Sequence, residues 1–146
     1  MIVCPAPPAS HPALRSLPQT IAKRADLISA LLEAGASAST SERGLTAMHF
    51  AALEHCALCA KMLCAAGADL EVRTHETGET ALHIASAAAT GITAEGTKVV
   101  RALIECGANP DAEVPLVRLR PLHVAARGGH ANAIRVLLRA GADPDR

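Results

Sequence analysis

A stretch of ten residues, from His55 to Cys64, concentrates side chains that could bind a metal ion or carry redox chemistry. Cys56 and Cys59 have the spacing of a redox dithiol or of half a zinc site, and His55 directly precedes them. A closed zinc site needs four ligands, and no second ligand pair follows at zinc-finger spacing. Three interpretations stay open: thiols that fill a helical core, an adventitious metal or oxidation sensor, and a dedicated site.

The composition limits the class of protein. The chain has 146 residues, half of them hydrophobic, but Phe50 is its only aromatic residue. Its core must therefore be built from Ala, Leu, Ile and Val, which favours small, closely packed helices over a stacking surface for single-stranded nucleic acid. Basic and acidic residues number 14 each, so the chain lacks the positive charge expected of a non-specific nucleic-acid binder.

The sequence also bears on the compartment. No apolar run approaches the ~20 residues of a membrane-spanning helix, and the N-terminus does not resemble a signal peptide. The five cysteines are an odd number and form a poor disulfide framework. We therefore expect a reducing, intracellular environment, the cytoplasm, without distinguishing it from the nucleus.

An internal repeat organises most of the chain. The repeated segments are GLTAMHFAA from Gly44, GETALHIAS from Gly78 and RLRPLHVAA from Arg118, with histidines His49, His83 and His123. A leucine-rich segment follows each of them and ends at Gly67, Gly107 or Gly141. The second unit carries an insertion near residues 86–97, which we expect between two helices, either as a neutral loop or as a binding element.

The sequence pattern of each unit predicts two short helices. Thr46 and Thr80 can cap the first helix, and Pro121 is tolerated in a first turn. The second helix ends at a glycine, which can adopt the left-handed C-cap conformation without steric cost. Polar segments of turn composition join successive units.

This pattern resembles the ankyrin repeat, with its T-P-L-H-x-A signature and its period near 33 residues. The resemblance covers residues 21–146 and implies an all-α repeat solenoid of paired antiparallel helices joined by β-hairpin-like turns. The units are expected at about 21–40, 42–74, 76–114 and 116–146, the first of them degenerate, after a Pro-rich and disordered segment 1–20. Because no polar capping helix follows the last unit, we expect further repeats or self-association at that end.

The resemblance implies structural roles for the repeated residues. The three histidines are expected to bond to neighbouring backbone and tie the units together, while Arg120 replaces the threonine that normally caps the third unit. Alignment on Gly67 and Gly141 places Cys59 and Cys64 on the inward face of a second helix, where a free thiol behaves as a small apolar group. Cys56 lies near the start of that helix, where the pKa of a thiol can be lowered.

The resemblance further implies a non-enzymatic module that binds a protein partner on its concave surface, without a cofactor. The turn tips and exposed first-helix positions that would contact the partner are Arg43, Leu45, Leu53, Glu54, His55, Arg73, His75, Glu76, Glu79, Arg118, Leu119, Arg120 and Arg127. Arg118, Arg120 and Arg127 could together receive an acidic or phosphorylated segment through bidentate contacts, or form a solvated face. Phosphate-loop, nucleophile-elbow and zinc-protease motifs do not occur.

Two alternatives compete with this interpretation. The chain could be part of a multidomain adaptor, such as the substrate-recruiting subunit of a ubiquitin ligase. It could instead be a metal- or redox-responsive protein that uses Cys56, Cys59 and Cys64, with Cys4 or Cys106 as a further thiol and His55 as a further metal ligand. Neither nucleic acid nor a membrane is an expected partner, and the sequence does not identify the protein partner.

Overall fold

The computed structural model describes residues 19–34, 38, 41–89 and 94–145. The elements in these ranges are α1 (Gln19–Glu33), β1 (Ser41–Glu42), β2 (Leu45–Thr46), α2 (Ala47–Leu53), α3 (Ala57–Ala65), α4 (Ala81–Ala88), α5 (Ala94–Glu105), α6 (Pro121–Arg127) and α7 (Ala131–Arg139). The predicted helical repeat architecture is confirmed. Residues 1–18, which include most of the Pro-rich segment, lie outside the described ranges.

The helices form two layers. The first helices of the units, α2, α4 and α6, pack against one another in chain order, and the second helices, α3, α5 and α7, do the same with α1 beside α3. Fully buried alanines line the contacts between the layers: Ala52, Ala60, Ala102, Ala125 and Ala133. Leu63, Leu82, Leu103 and Leu137 fill the remaining space. A core of small aliphatic side chains lets the helices approach closely, which explains how the chain packs without buried aromatic residues.

The first helices begin as predicted. Thr46 and Thr80 are the N-cap residues of α2 and α4, and each hydroxyl lies 2.9 Å from the Nδ1 atom of the histidine three residues later. Pro121 is the first residue of α6 and is buried. Arg120 has no hydroxyl for this position, but its backbone N–H still donates to Nδ1 of His123 at 3.3 Å. The replacement therefore removes one capping contact and keeps the other.

The second helices end at the predicted glycines. Gly67, Gly107 and Gly141 have φ angles of 78°, 96° and 91°, in the left-handed region that favours glycine. After α3, the N–H of Gly67 donates to the Cys64 carbonyl at 2.9 Å, and the next N–H donates to Leu63 at 3.0 Å. The same pair of bonds follows α5 and α7, so that a Schellman motif closes each unit.

The insertion falls between the two helices of the second unit, as expected. It extends α5 to 12 residues, against nine in α3 and α7, and α4 to eight, against seven in α2 and α6. Residues 90–93, where a loop was considered, lie outside the described ranges. Gly96, in the added turn of α5, is buried against the end of α4. Much of the insertion is therefore packed helix.

Replacing Gly96 with alanine is expected to destabilise the protein, although alanine normally stabilises a helix interior. A Cβ atom at this position would lie 2.6 Å from Cα of Ala89 and 3.0 Å from the carbonyl oxygen of Ala88. Because both contacts are backbone atoms, α5 must move away from α4, at a cost of about 1–3 kcal/mol. Thermal unfolding measures the change, with Thr97→Ala, one residue further along α5, as the control. A Gly96→Ala protein that melts above the wild type would contradict this packing.

Candidate protein-binding surface

Backbone contacts join the turn tips of successive units. The N–H of His75 donates to the Arg43 carbonyl at 3.1 Å, which links the β1–β2 hairpin to the next turn. Arg73 then donates from Nη1 to the carbonyls of Gly78, at 3.1 Å, and Glu113, at 2.7 Å. The guanidinium of Arg73 therefore connects the second turn to the third. Arg73 was predicted to contact a partner, but its side chain makes these hydrogen bonds within the protein and fixes the second tip relative to the third.

The third tip carries two exposed apolar side chains. Leu116 is 92% exposed and Val117 is 60% exposed, in the turn that precedes Arg118. Arg118 has a φ of 53° at the position where the other units have Gly44 and Gly78, with φ of 76° and 73°. Sequence reasoning missed the two apolar residues. Their signal was two adjacent aliphatic residues at a tip whose counterparts in the second unit, residues 76 and 77, are polar.

Arg118 and Arg120 are bonded within the chain. Nε of Arg118 and Nη2 of Arg120 donate to the two carboxylate oxygens of Glu113, each at 3.1 Å. These bonds hold the pKa of Glu113 below its usual value, and only 12% of the Arg120 side chain is exposed. Arg127 is exposed at the end of α6 and makes no ion pair with another described residue. Of the three arginines expected to receive an anion, Arg118 and Arg120 are paired with Glu113, although 83% of the Arg118 side chain is exposed, and Arg127 makes no ion pair with a described residue.

The first helices of the units, α2, α4 and α6, which we call the inner helices, carry a row of apolar side chains that we call the apolar ladder. Phe50 is 53% exposed and Leu53 is 49% exposed, one turn apart on α2. Ile84 on α4 and Val124 on α6 occupy the position of Phe50 in the next two units, and both are partly exposed. Leu53 was predicted as a contact residue, whereas Phe50 was not. Its signal is the variable position of T-P-L-H-x-A, which follows the buried histidine.

The remaining candidate residues are placed less uniformly. His75 and Glu76 are exposed at the second tip, while Leu45, Leu119 and Glu79 are partly buried. Glu54 forms an ion pair with Arg24 of α1. His55 has a φ of 55°, and its Nδ1 atom is buried without a hydrogen-bond partner among the described residues. Arg43, His55 and Arg118 are the described non-glycine residues with positive φ, and all three belong to the candidate set. Backbone strain of this kind clusters at functional sites.

Two of the three repeated histidines, His49 and His83, bond to the backbone of the next unit, whereas His123, among the described residues, bonds only within its own unit. Nε2 of His49 lies 3.4 Å from the Glu79 carbonyl, and Nε2 of His83 lies 3.2 Å from the Leu119 carbonyl. Each ring thus spans from the cap of its own helix to the turn of the next unit. Burial lowers the pKa of both histidines below 6.5, because the protonated ring loses its hydration.

We expect the free energy of unfolding to fall as the pH is lowered from 7 to about 5.5. With folded pKa values below 6.5 for His49 and His83, the unfolded chain takes up protons first. Each of these histidines then contributes a loss of up to about 1.4 kcal/mol per pH unit, until the pH reaches its folded pKa. Denaturant titrations at each pH measure the slope. His83→Gln is the control and should flatten it, whereas equal stability at both pH values would contradict the prediction.

The sequence predicts free cysteines, whereas the structure pairs four of the five. Cys56 is paired with Cys59 at the start of α3, and Cys64 is paired with Cys106, which follows α5. The Cα atoms lie 5.2 Å and 6.2 Å apart, within the range that a disulfide spans. Burial of Cys59 is confirmed, at 2% exposed, whereas Cys64 is only partly buried and lies against Cys106. Aligning the repeats shows which face of its own helix a residue occupies. It does not show which residue of the neighbouring helix lies against it.

Two further findings concern the described residues. They contain no cluster of three or more His, Cys, Asp or Glu side chains arranged to hold a metal ion, and His55 is not brought into one with the cysteines. No helix among them is both long enough and apolar enough to cross a membrane.

Comparison with known proteins agrees with the repeat architecture. A family model described as ankyrin repeats (three copies) matches residues 19–114 and 73–146, which together cover most of the chain. No curated protein matches the sequence. Ankyrin repeats are generally non-enzymatic modules of protein–protein interaction. The capped helix pairs, the bridging histidines and this match together show that the chain belongs to the ankyrin-repeat family.

Proposed function

We propose that this protein is a non-enzymatic interaction module that binds a partner protein on the surface formed by α2, α4, α6 and the turn tips. One observation carries the proposal. The only aromatic side chain, Phe50, is 53% exposed on α2, beside the similarly exposed Leu53. A folded chain that leaves its one large ring in water gains free energy when a partner covers that ring.

The neighbouring residues support the same surface. Ile84 and Val124 continue the apolar ladder of Phe50 across the inner helices, and Leu116 with Val117 extends an apolar tip beyond it. Burying the exposed halves of Phe50 and Leu53 would contribute roughly 2 kcal/mol to binding. Exposed Arg127 adds a cation at the C-terminal end, which suits a partner with an apolar anchor and an acidic flank.

Proximity labelling in the source cell tests the proposal. The Phe50→Glu, Leu53→Glu variant is compared with wild type, because two carboxylates in the ladder must be desolvated when a partner binds. Leu27→Glu is the matched control, since Leu27 is 61% exposed on α1, which packs beside α3 in the other layer. Arg127→Glu tests the C-terminal end separately.

Proteins that are labelled by wild type and by Leu27→Glu, but not by the double variant, would support the inner surface and identify the partner. Loss in Arg127→Glu alone would place the contact at the C-terminal end. An identical set of labelled proteins for every variant would contradict the proposal. Circular dichroism spectra of all variants verify that the substitutions act on binding and not on folding.

A redox-responsive role is the second candidate, favoured by the pairing of Cys64 with Cys106. This pair joins the second helices of two units, so its oxidation would fix their relative position. The proposed compartment is the cytoplasm, with the nucleus not distinguished, and there glutathione would keep the thiols reduced until an oxidant appears. Thiol titration of protein taken directly from cells measures the redox state of the cysteines. Five reduced thiols would support the cytoplasmic location.

Self-association is a further possibility raised by the last unit, in which Leu138 of α7 is 43% exposed. Sedimentation velocity of wild type and Leu138→Glu tests it. A dimer that the substitution dissociates would support contact between copies through α7, and a monomer at all concentrations would exclude it.

A further inference from the structure

A groove of about 350 Å³ lies between α5 and α7, in the layer of second helices. Its polar lining consists of Lys98 and Arg101 with Thr97 from α5, and Arg135 and Arg139 with Asn132 from α7. Four of these side chains are cationic, two are neutral hydrogen-bonding groups, and no acidic side chain lines the groove. Its chemistry is therefore that of an anion-binding surface, separate from the inner helices.

Helical spacing brings the cations together. Lys98 and Arg101 are three residues apart on α5, and Arg135 and Arg139 are four apart on α7, so each pair shares one face of its helix. The two helices pack side by side, and all four side chains are exposed. The positive charges of two units therefore converge on one groove, although the whole chain has no net charge.

The cations recur in register along the array. Counting back six residues from the glycine that ends each second helix gives Lys61, Arg101 and Arg135. Lys61 is paired with Glu105 at 3.0 Å. Arg101 and Arg135 make no ion pair or hydrogen bond with another described residue. Arg101 and Arg135 are therefore available to bind an anion from another molecule.

The charges in the groove are poorly compensated within the chain. Lys98 bonds to Glu95 at 2.6 Å, but Arg139, like Arg101 and Arg135, has no carboxylate partner among the described residues. Like charges held close together repel one another, and an anion placed between them removes that repulsion. Three guanidinium groups with two neutral donors suit a phosphate group, which accepts paired hydrogen bonds from arginine.

The side chains around the groove indicate which class of phosphate-containing molecule it binds. No aromatic side chain lies there to stack on a base, which disfavours single-stranded nucleic acid. The apolar lining is Val136 alone, and it is partly buried, so the groove offers no apolar anchor for insertion into a lipid surface. A phosphorylated protein segment needs neither of these features.

We propose that the groove between α5 and α7 binds a phosphorylated segment of a partner protein, lying across the second helices. Packed helices are separated by about 10 Å, and an extended segment in the polyproline II conformation advances ~3.1 Å per residue with about three residues per turn, so that every third side chain lies on the same face. Two anionic side chains three residues apart would therefore meet Arg101 and Arg135. The expected ligand has a phosphorylated residue and an acidic residue at that separation.

Fluorescence anisotropy with labelled peptides tests the proposal. The probe is an extended peptide with phosphoserine and an aspartate three residues further on, compared with the same peptide containing serine. Wild type is expected to bind the phosphopeptide about tenfold more tightly or better, and Arg101→Glu, Arg135→Glu should lose at least that factor. Arg24→Glu, Lys61→Glu is the matched control, because it makes the same charge change at exposed positions outside the groove.

Added salt should weaken the binding, because the contacts are between solvent-exposed charges. Arg101→Gln, Arg135→Gln provides a second variant without charge reversal, and circular dichroism verifies that each variant is folded. Equal affinity for both peptides, or equal losses in the groove variant and the control, would overturn the proposal. Tighter binding of wild type to phosphatidylserine vesicles or to single-stranded RNA than to the phosphopeptide would overturn it in favour of those ligands.

Discussion

Replacing His83 with alanine is expected to lower the free energy of unfolding by about 3 kcal/mol. His83 is fully buried, and its ring joins the Thr80 cap of α4 to the Leu119 carbonyl in the next unit. Truncation leaves both of those polar partners without their bonds and opens a cavity at the junction of two units. Urea denaturation measures the difference.

His123→Ala is the matched control. His123 accepts the backbone N–H of Arg120, as His83 does that of Thr80, but it is only partly buried, and no described residue of a following unit bonds to its ring. We expect it to cost about 1 kcal/mol, the value of one such hydrogen bond. Equal costs for the two substitutions would show that the bond between units adds nothing, and would contradict the role assigned to His83.

Oxidation of the reduced protein is expected to raise the free energy of unfolding by up to about 4 kcal/mol through the Cys64–Cys106 pair. The two cysteines are 42 residues apart, and a cross-link over that separation removes much of the entropy of the unfolded chain. Glutathione disulfide is a suitable oxidant, since each protein disulfide formed converts one molecule of it to two thiols. Denaturant curves before and after oxidation measure the gain.

The two pairs can be separated by substitution. Cys64→Ser, Cys106→Ser should lose most of the gain, whereas Cys56→Ser, Cys59→Ser should lose less than about 2 kcal/mol of it, because those cysteines are three residues apart. Thiol titration of the unfolded protein should find all five cysteines before oxidation and Cys4 alone afterwards. Five titratable thiols after oxidation, with unchanged stability, would contradict both pairings.

Local residue chemistry accounts for the features that the sequence predicted well. Thr80 caps a helix because its hydroxyl and backbone lie beside the histidine three residues later, and Gly67 ends one because left-handed φ is unfavourable for other residues. These contacts join residues only a few positions apart, so their spacing can be recognised in the amino-acid sequence. Because the sequence repeats, the same contacts are expected in each of the following units.

The predictions about surface and thiols depended on contacts between units. Arg120 belonged to an expected anion site, but the turn brings Glu113 against it, and Cys64 was expected to be free, but α5 brings Cys106 to it. Phe50 was overlooked because an aromatic residue after a buried histidine can be either core or surface until the neighbouring helix is in place.

The sequence by itself determined the helix pairs, their caps and the order of the units, because these depend on short-range geometry repeated with a fixed period, whereas the bridging histidines followed only from the resemblance to the ankyrin repeat. Only the tertiary structure decided which charges are paired, which cysteines meet and which apolar side chains face water. Arg101 and Arg135 show the difference, since they are 34 residues apart in the chain and line one groove only after α5 and α7 pack. Such contacts depend on which helix faces are brought together, and a repeat pattern read within single units does not contain that information.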